Sequence, residues 1–297
     1  MHKFLSTLIL IPLHIVSWLP LRVHYWLSCF IKWVLKDLIG YRKGVIYTNL
    51  SRAFSKLSYE EIDKLANEYY TNISHIIVEI VWGAFKPLGR IKRKGLMSVE
   101  GVEALNDVYL NSNGTITMLG HVGNWELATG FLGYIDEDDR VIDYQDVVCA
   151  YHPMHSKISD VLFKRLRYKH FTAHGASFVP STQLLRFALK NKDRKMFYIL
   201  AADQYEYRNT PHKQELFGIP TAWPNGGESL ARKLGMGVLY VNIVKVRRGE
   251  YIIKFEKICS DASKTQPGEI TSQYIKNLER DINSYKANWL WSHKRFK

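Results

Sequence analysis

Acidic side chains are in short supply in this chain. Against 41 Lys and Arg stand only 28 Asp and Glu in 297 residues, a formal net charge of +13. That balance selects an anionic partner: nucleic acid, phospholipid headgroups, a phosphorylated substrate or an acidic carrier protein. Helix-turn-helix, zinc-finger, RRM and KH patterns are all missing, which argues against nucleic acid. Cysteine is scarce as well. Cys29, Cys149 and Cys259 are scattered without C-x-x-C spacing, so neither a disulfide framework nor a zinc site is indicated, and a reducing compartment fits. There is no low-complexity tract, internal repeat or linker, and 46% of residues are hydrophobic. A disordered chain is thereby excluded, and one large domain with a full core is expected. Also absent are a G-x-S-x-G elbow, a G-x-x-x-x-G-K-[ST] phosphate loop, H-E-x-x-H and a complete G-x-G-x-x-G, of which Gly235-Met236-Gly237 is only a fragment. A covalent serine mechanism has no support.

A long apolar run is lacking too. Phe4 to Leu19 is uncharged apart from His14, but it is shorter than the ~20 residues that a bilayer-spanning helix needs. Pro20 breaks it. Leu21 to Ile39 then sets Arg22, His24, Lys32 and Lys36 among Trp26, Leu27, Phe30, Ile31, Trp33, Val34, Leu35 and Ile39, the mixture of an interfacial amphipathic helix. Residues 1–40 thus read as a membrane anchor with a surface helix, and 41–297 as a catalytic domain. No small-residue cleavage site comes after the apolar run, so a secretory signal is disfavoured. Lys and Arg concentrate after the segment, which places the main domain in the cytoplasm.

The remainder of the chain is α/β in character. Ser58-Tyr59-Glu60-Glu61 forms a capping box ahead of Ile62, Leu65, Ala66, Tyr69, Ile73, Ile76, Ile77 and Ile80 at helical spacing. Strands are expected at Thr115 to Leu119, Asp146 to Tyr151, Met196 to Ala202, Gly237 to Val246 and Tyr251 to Ile258. Helices are expected near Val102 to Leu110, His155 to Tyr168, Gln183 to Lys190, Gly227 to Leu234 and Glu269 to Trp289. Such alternation predicts a mixed sheet flanked by helices.

Within this pattern, His121-Val122-Gly123-Asn124-Trp125-Glu126 sets an imidazole and a carboxylate five residues apart across a Gly-Asn bend. A general base needs its second ring nitrogen held by an acceptor, and Glu126 is the candidate. His155 and Asp160 share the spacing, but on one helix an offset of five turns the side chains about 140° apart. His121 instead lies where a strand stops and a loop opens into a helix, the place where open α/β sheets build their sites.

His121 to Glu126, Leu200-Ala201-Ala202-Asp203-Gln204 and Trp289-Leu290-Trp291-Ser292-His293-Lys294-Arg295 together resemble the bacterial lipid A biosynthesis acyltransferases, the late enzymes that add secondary fatty chains to lipid A. Arg42 to Phe54, with Asn49-Leu50 and Ala53-Phe54, is similar to that family's segment between anchor and catalytic domain. The resemblance implies a single acyltransferase domain of the glycerol-3-phosphate and lysophospholipid type, at the cytoplasmic face of the inner membrane. It implies His121 and Glu126 as the catalytic pair. It also implies Asp203 and Gln204 near the substrate, with Asn124 beside them. The donor would be an acyl thioester of acyl carrier protein or coenzyme A, used as a co-substrate with no further cofactor and no metal. The acceptor would be a hydroxyl of a lipid A precursor or related glycolipid.

Two departures stand out. Family members often carry Tyr-Arg-Pro where this chain has Tyr151-His152-Pro153, and Pro-Arg where it has Pro180-Ser181. His152, Arg165, Arg167 and Arg186 are therefore the candidate anion contacts, or the acceptor differs. Two other readings remain open on the sequence: an acyltransferase for another polar or amino lipid, and a silent membrane protein that binds anionic lipid.

Overall fold

Thr115–Leu119 is buried at all of its positions because it is the middle strand of a seven-stranded sheet. A strand covered on both faces reads as a continuous apolar run, without alternation. The computed structural model describes residues 2–154, 156–167, 174–204 and 212–296. In chain order the strands are β1 (Met97–Glu100), β2 (Thr115–Leu119), β3 (Val147–Tyr151), β4 (Ser177–Pro180), β5 (Phe197–Ala201), β6 (Lys213–Leu216), β7 (Ile219–Ala222), β8 (Gly237–Arg247) and β9 (Glu250–Cys259). The sheet order is β1-β9-β8-β2-β5-β3-β4, and β6 and β7 form a separate hairpin. β2 runs parallel to both of its neighbours, β5 and β8, while β8 and β9 pair antiparallel. The mixed α/β sheet expected from the sequence is therefore present.

The helices are α1 (His2–Ser17), α2 (Leu21–Trp33), α3 (Lys43–Ala53), α4 (Tyr59–Gly83), α5 (Leu88–Arg93), α6 (Val102–Leu110), α7 (Trp125–Ala128), α8 (Lys157–Arg167), α9 (Leu184–Lys190), α10 (Gly226–Leu234) and α11 (Glu269–Ser284). The capping box that starts α4 is complete: Ser58 Oγ accepts from the Glu61 amide, and Glu61 Oε2 accepts from the Ser58 amide. Alternate residues of the sheet feed two cores. Ile116, Tyr198, Leu200 and Tyr240 join Leu65, Tyr69, Leu230 and Leu278 on one face. Phe197, Ile199, Leu239 and Val241 join Leu105, Leu127 and Phe131 on the other.

Several expectations are corrected. The helix beginning at Glu269 ends at Ser284, not Trp289, because Tyr285 leaves helical geometry at φ −146° and ψ 86°. The helix expected to open after the His121 loop is one α-helical turn, Trp125–Ala128, followed by a short 3-10 turn at Phe131–Gly133. β1, β4 and the β6–β7 hairpin were not legible in the sequence. His155 and Tyr168 lie outside the described residues. At the N-terminus α2 packs along α4, with Tyr25 and Ser28 turned inward. Trp18, Trp26, Phe30 and Trp33 are exposed, Trp26 at 79%. Among the described residues no helix is long and apolar enough to cross a membrane.

Candidate active site

Two adjacent strand ends make the site. Leu119 of β2 and Ala201 of β5 are register partners in a parallel pair, and the Ala202 amide extends the ladder to Leu119 O at 2.9 Å. His121 and Asp203 each come two residues later, so the fold delivers them side by side. His121 Nδ1 lies 2.5 Å from Asp203 Oδ1, and the His121 backbone N–H donates to Oδ2 at 2.9 Å. A third donor, the indole Nε1 of Trp289, reaches Oδ2 at 2.8 Å. Asp203 is 1% exposed. Burial alone would raise its pKa. The facing His121 imidazole, with the hydrogen bonds from His121 and Trp289, outweighs burial and holds the carboxyl well below the usual range.

The loop carrying His121 is braced by the chain's C-terminal segment. Val122 bridges Trp289, the Gly123 amide donates to Asn288 O, and the Leu290 amide donates to His121 O, both at 3.0 Å. Gly123 sits at φ +60°, and a Cβ there would lie 2.9 Å from Ile243 Cγ2 and 3.2 Å from Ile243 O. Only glycine suits that turn. The brace is itself anchored by α3: Asn49 Nδ2 donates to Trp291 O and His293 O, and Arg52 Nη1 donates to Phe296 O. Just before α3, Arg42 Nη1 donates to Ser292 O. Two blocks far apart in sequence thus act together to fix the loop.

The sequence expected Glu126 to hold the imidazole, whereas the carboxylate on Nδ1 is that of Asp203. Glu126 falls in the first turn of α7, half-buried, and its Oε1 accepts from Trp125 Nε1 at 3.1 Å. The Trp125 ring packs edge-on to His121 with centroids 5.3 Å apart. Asn124, expected at the substrate, is fully buried. Its Oδ1 caps α7 by accepting from the Leu127 amide, and its Nδ2 donates to Glu79 Oε2. Its amide is therefore engaged with the α7 cap and with Glu79 of α4. Gln204 comes directly after Asp203 and is half-buried.

The expected anion contacts come from three elements. His152 is exposed after β3. Arg165, also exposed, donates through Nη1 to the Ser6 and Thr7 hydroxyls of α1. Arg167 ends α8, and its side chain lies outside the described residues. Arg186 is exposed on α9. Sequence reasoning missed the part of Trp289 and the buried Glu79. Trp289 was visible as part of a block, but no spacing rule links an indole to a carboxylate 86 residues away.

The profile of the family described as bacterial lipid A biosynthesis acyltransferase matches residues 1–297. The chain is similar to the lipid A biosynthesis palmitoleoyltransferase of Escherichia coli (strain K12), with 23% identity over 289 residues, 95% of this chain and 89% of that protein. It has the same identity and coverage with the lipid A biosynthesis acyltransferase of Shigella flexneri.

Proposed function

The chain belongs to the bacterial lipid A biosynthesis acyltransferase family and is an acyltransferase, and from its site we propose direct transfer of a fatty acyl group from a thioester to a hydroxyl of a lipid A precursor or related glycolipid. The observation that carries this reading is the imidazole held at Nδ1 by a buried carboxylate, at the mouth formed by two strand ends. An ionised carboxylate only accepts, so Nδ1 carries the proton and Nε2 presents its lone pair. Nε2 takes the acceptor hydroxyl's proton as the oxygen attacks the thioester carbonyl. The tetrahedral intermediate then expels the thiolate, which recovers that proton from the imidazolium, leaving an ester and a free thiol. Asp203 fixes the tautomer and favours the imidazolium. Glu126, five residues on, accepts from Trp125, whose ring packs edge-on to the imidazole.

An acidic carrier protein or coenzyme A would each suit a surface with net charge +13. The acidic carrier is the donor we favour. The exposed aliphatic side chains Leu8, Ile11 and Ile15 of α1, with Trp18 after it and Trp26, Phe30 and Trp33 of α2, lie among Arg22, Lys32 and Lys36 in the sequence and fit an anionic membrane surface at the cytoplasmic face of the inner membrane. In that setting residues 1–40 serve as the membrane-binding segment. The test is purified protein with mixed acyl carrier protein and coenzyme A thioesters plus membrane lipid extract, read by mass spectrometry. One added acyl chain on a glycolipid, lost in His121→Ala, supports the reading. An acylated amino lipid would move the acceptor, and no acylated product with either donor would refute the proposal.

A further inference from the structure

One polar cluster lies away from the His121–Asp203 pair. Glu79, near the end of α4, is 0% exposed, and an unpaired carboxylate in such a place is costly. It is not unpaired. Tyr25 Oη of α2 donates to Oε1 at 2.9 Å, while Tyr251 Oη of β9 and Asn124 Nδ2 both donate to Oε2 at 2.9 Å. Three elements that are distant in sequence meet on one side chain.

The Asn124 arm reaches the catalytic loop directly. Asn124 lies between His121 and Glu126 and caps α7 through its Oδ1. The amide can cap in this orientation only because its nitrogen faces an acceptor, and Glu79 is that acceptor. The Tyr25 arm leads outward. Its phenol is wedged against the β8–β9 turn, where Arg248 stacks over the ring at 4.6 Å and a Cβ on Gly249 would lie 2.2 Å from Oη. The next residue, Trp26, points away from the protein, with Phe30 and Trp33 also on the exposed side of the same helix.

We propose that Glu79 is a positioning residue for catalysis: it orients Asn124, and through it the His121–Glu126 loop, and it ties that loop to the seat of the aromatic helix α2. Glu79 meets the loop at Asn124, so its action on His121 is through that side chain. The inference rests on the acyl-transfer reading for its kinetic readout but not for its structural one.

The test uses full-length Glu79→Gln, which keeps size but turns one acceptor into a donor facing the Asn124 NH2. With its helical content and vesicle binding retained, kcat should fall roughly 10- to 100-fold, the scale expected of a misplaced reacting group. KM for the acyl thioester should stay within about two-fold, since no substrate contact is lost. Hydrogen exchange at the Leu127 amide should quicken. The double variant Glu79→Gln with Asn124→Asp reverses donor and acceptor while retaining a capping oxygen, and should recover most of the lost kcat and the slow Leu127 exchange. If Glu79→Gln does not fold, Tyr25→Phe combined with Tyr251→Phe removes two donors and should shift both readouts in the same direction. A folded variant with wild-type kcat and wild-type Leu127 exchange overturns the proposal. So does a charge-swapped double variant no better than the single one. Should the wild-type protein transfer no acyl group, the acyl-transfer reading fails, and Leu127 exchange alone still decides the part played by Glu79.

Discussion

Asp203 and Glu79 are both carboxylates closed off from solvent, and each touches the catalytic loop, yet their surroundings drive them apart. Asp203 faces an imidazole that can carry charge, and its pKa is pushed down despite complete burial. Glu79 is raised by burial, because its three direct partners are neutral donors that only partly offset the desolvation, with Lys245 acting from farther away. The contrast separates two environments for a buried carboxylate: a titratable partner draws the pKa down, as the proposed orienting acid requires, and neutral donors leave it raised, as suits the proposed brace.

The largest change to that contrast comes from His121→Ala. It removes the proposed base, an expected loss of about 10²–10⁴ in rate. It also leaves Asp203 buried without its facing imidazole, so that its pKa should rise as that of Glu79 does, which carbon NMR of the carboxyl would report. Retention of near-full turnover would contradict direct transfer by this histidine.

Stability against pH should then separate the two carboxylates by sign. Asp203 is depressed in the folded state, so its contribution is present above the unfolded value near ~3.9 and is lost as pH falls. Asp203→Asn should therefore flatten the acid limb of Tm. Glu79 is raised, so its contribution is full below ~4.3 and fades as pH rises through its folded value. Glu79→Gln should remove that opposite slope. Thermal melts from pH 3 to 7 in detergent check both, and parallel slopes for the two variants would erase the distinction.

Smaller effects come from the supports. Trp289→Phe deletes one of three donors to Asp203, which is worth about 1 kcal/mol or roughly five-fold in turnover. Deleting the residues before Arg22 should weaken vesicle flotation at high salt but leave binding to anionic vesicles at low salt. Equal flotation of both forms at high salt would remove the anchor from the account. His152→Arg should alter the preference between mono- and bis-phosphorylated acceptors. An unchanged kcat/KM ratio would leave His152 as a residue of the turn before Pro153.

The range over which each signal acts decided how much was legible in the sequence. β2, α6 and the capping box of α4 were readable because period and capping act over a few residues. The position of His121 past a strand end was readable for the same reason. The acceptor on its Nδ1 was not. Spacing favoured Glu126, five residues away, whereas the pairing of β2 with β5 brings Asp203 from 82 residues away. The Asp203–Gln204 block reads as a substrate contact, and nothing local distinguishes such a turn residue from a buried orienting acid. Glu79 was hidden still further, since it occupies a core position inside an amphipathic helix where the surrounding isoleucines set the pattern.

The most direct measurement compares Asp203→Asn with Glu126→Gln in the same acyl-transfer assay. Asparagine at 203 offers its NH2 or its carbonyl where an acceptor is required, and so loses control of the His121 tautomer, whereas glutamine at 126 leaves the Nδ1 acceptor in place. Asp203→Asn should lose kcat on the order of 10² or more, approaching His121→Ala, while Glu126→Gln retains a larger share of turnover. Near-wild-type kcat in Asp203→Asn together with abolished transfer in Glu126→Gln would contradict Asp203 as the orienting acid.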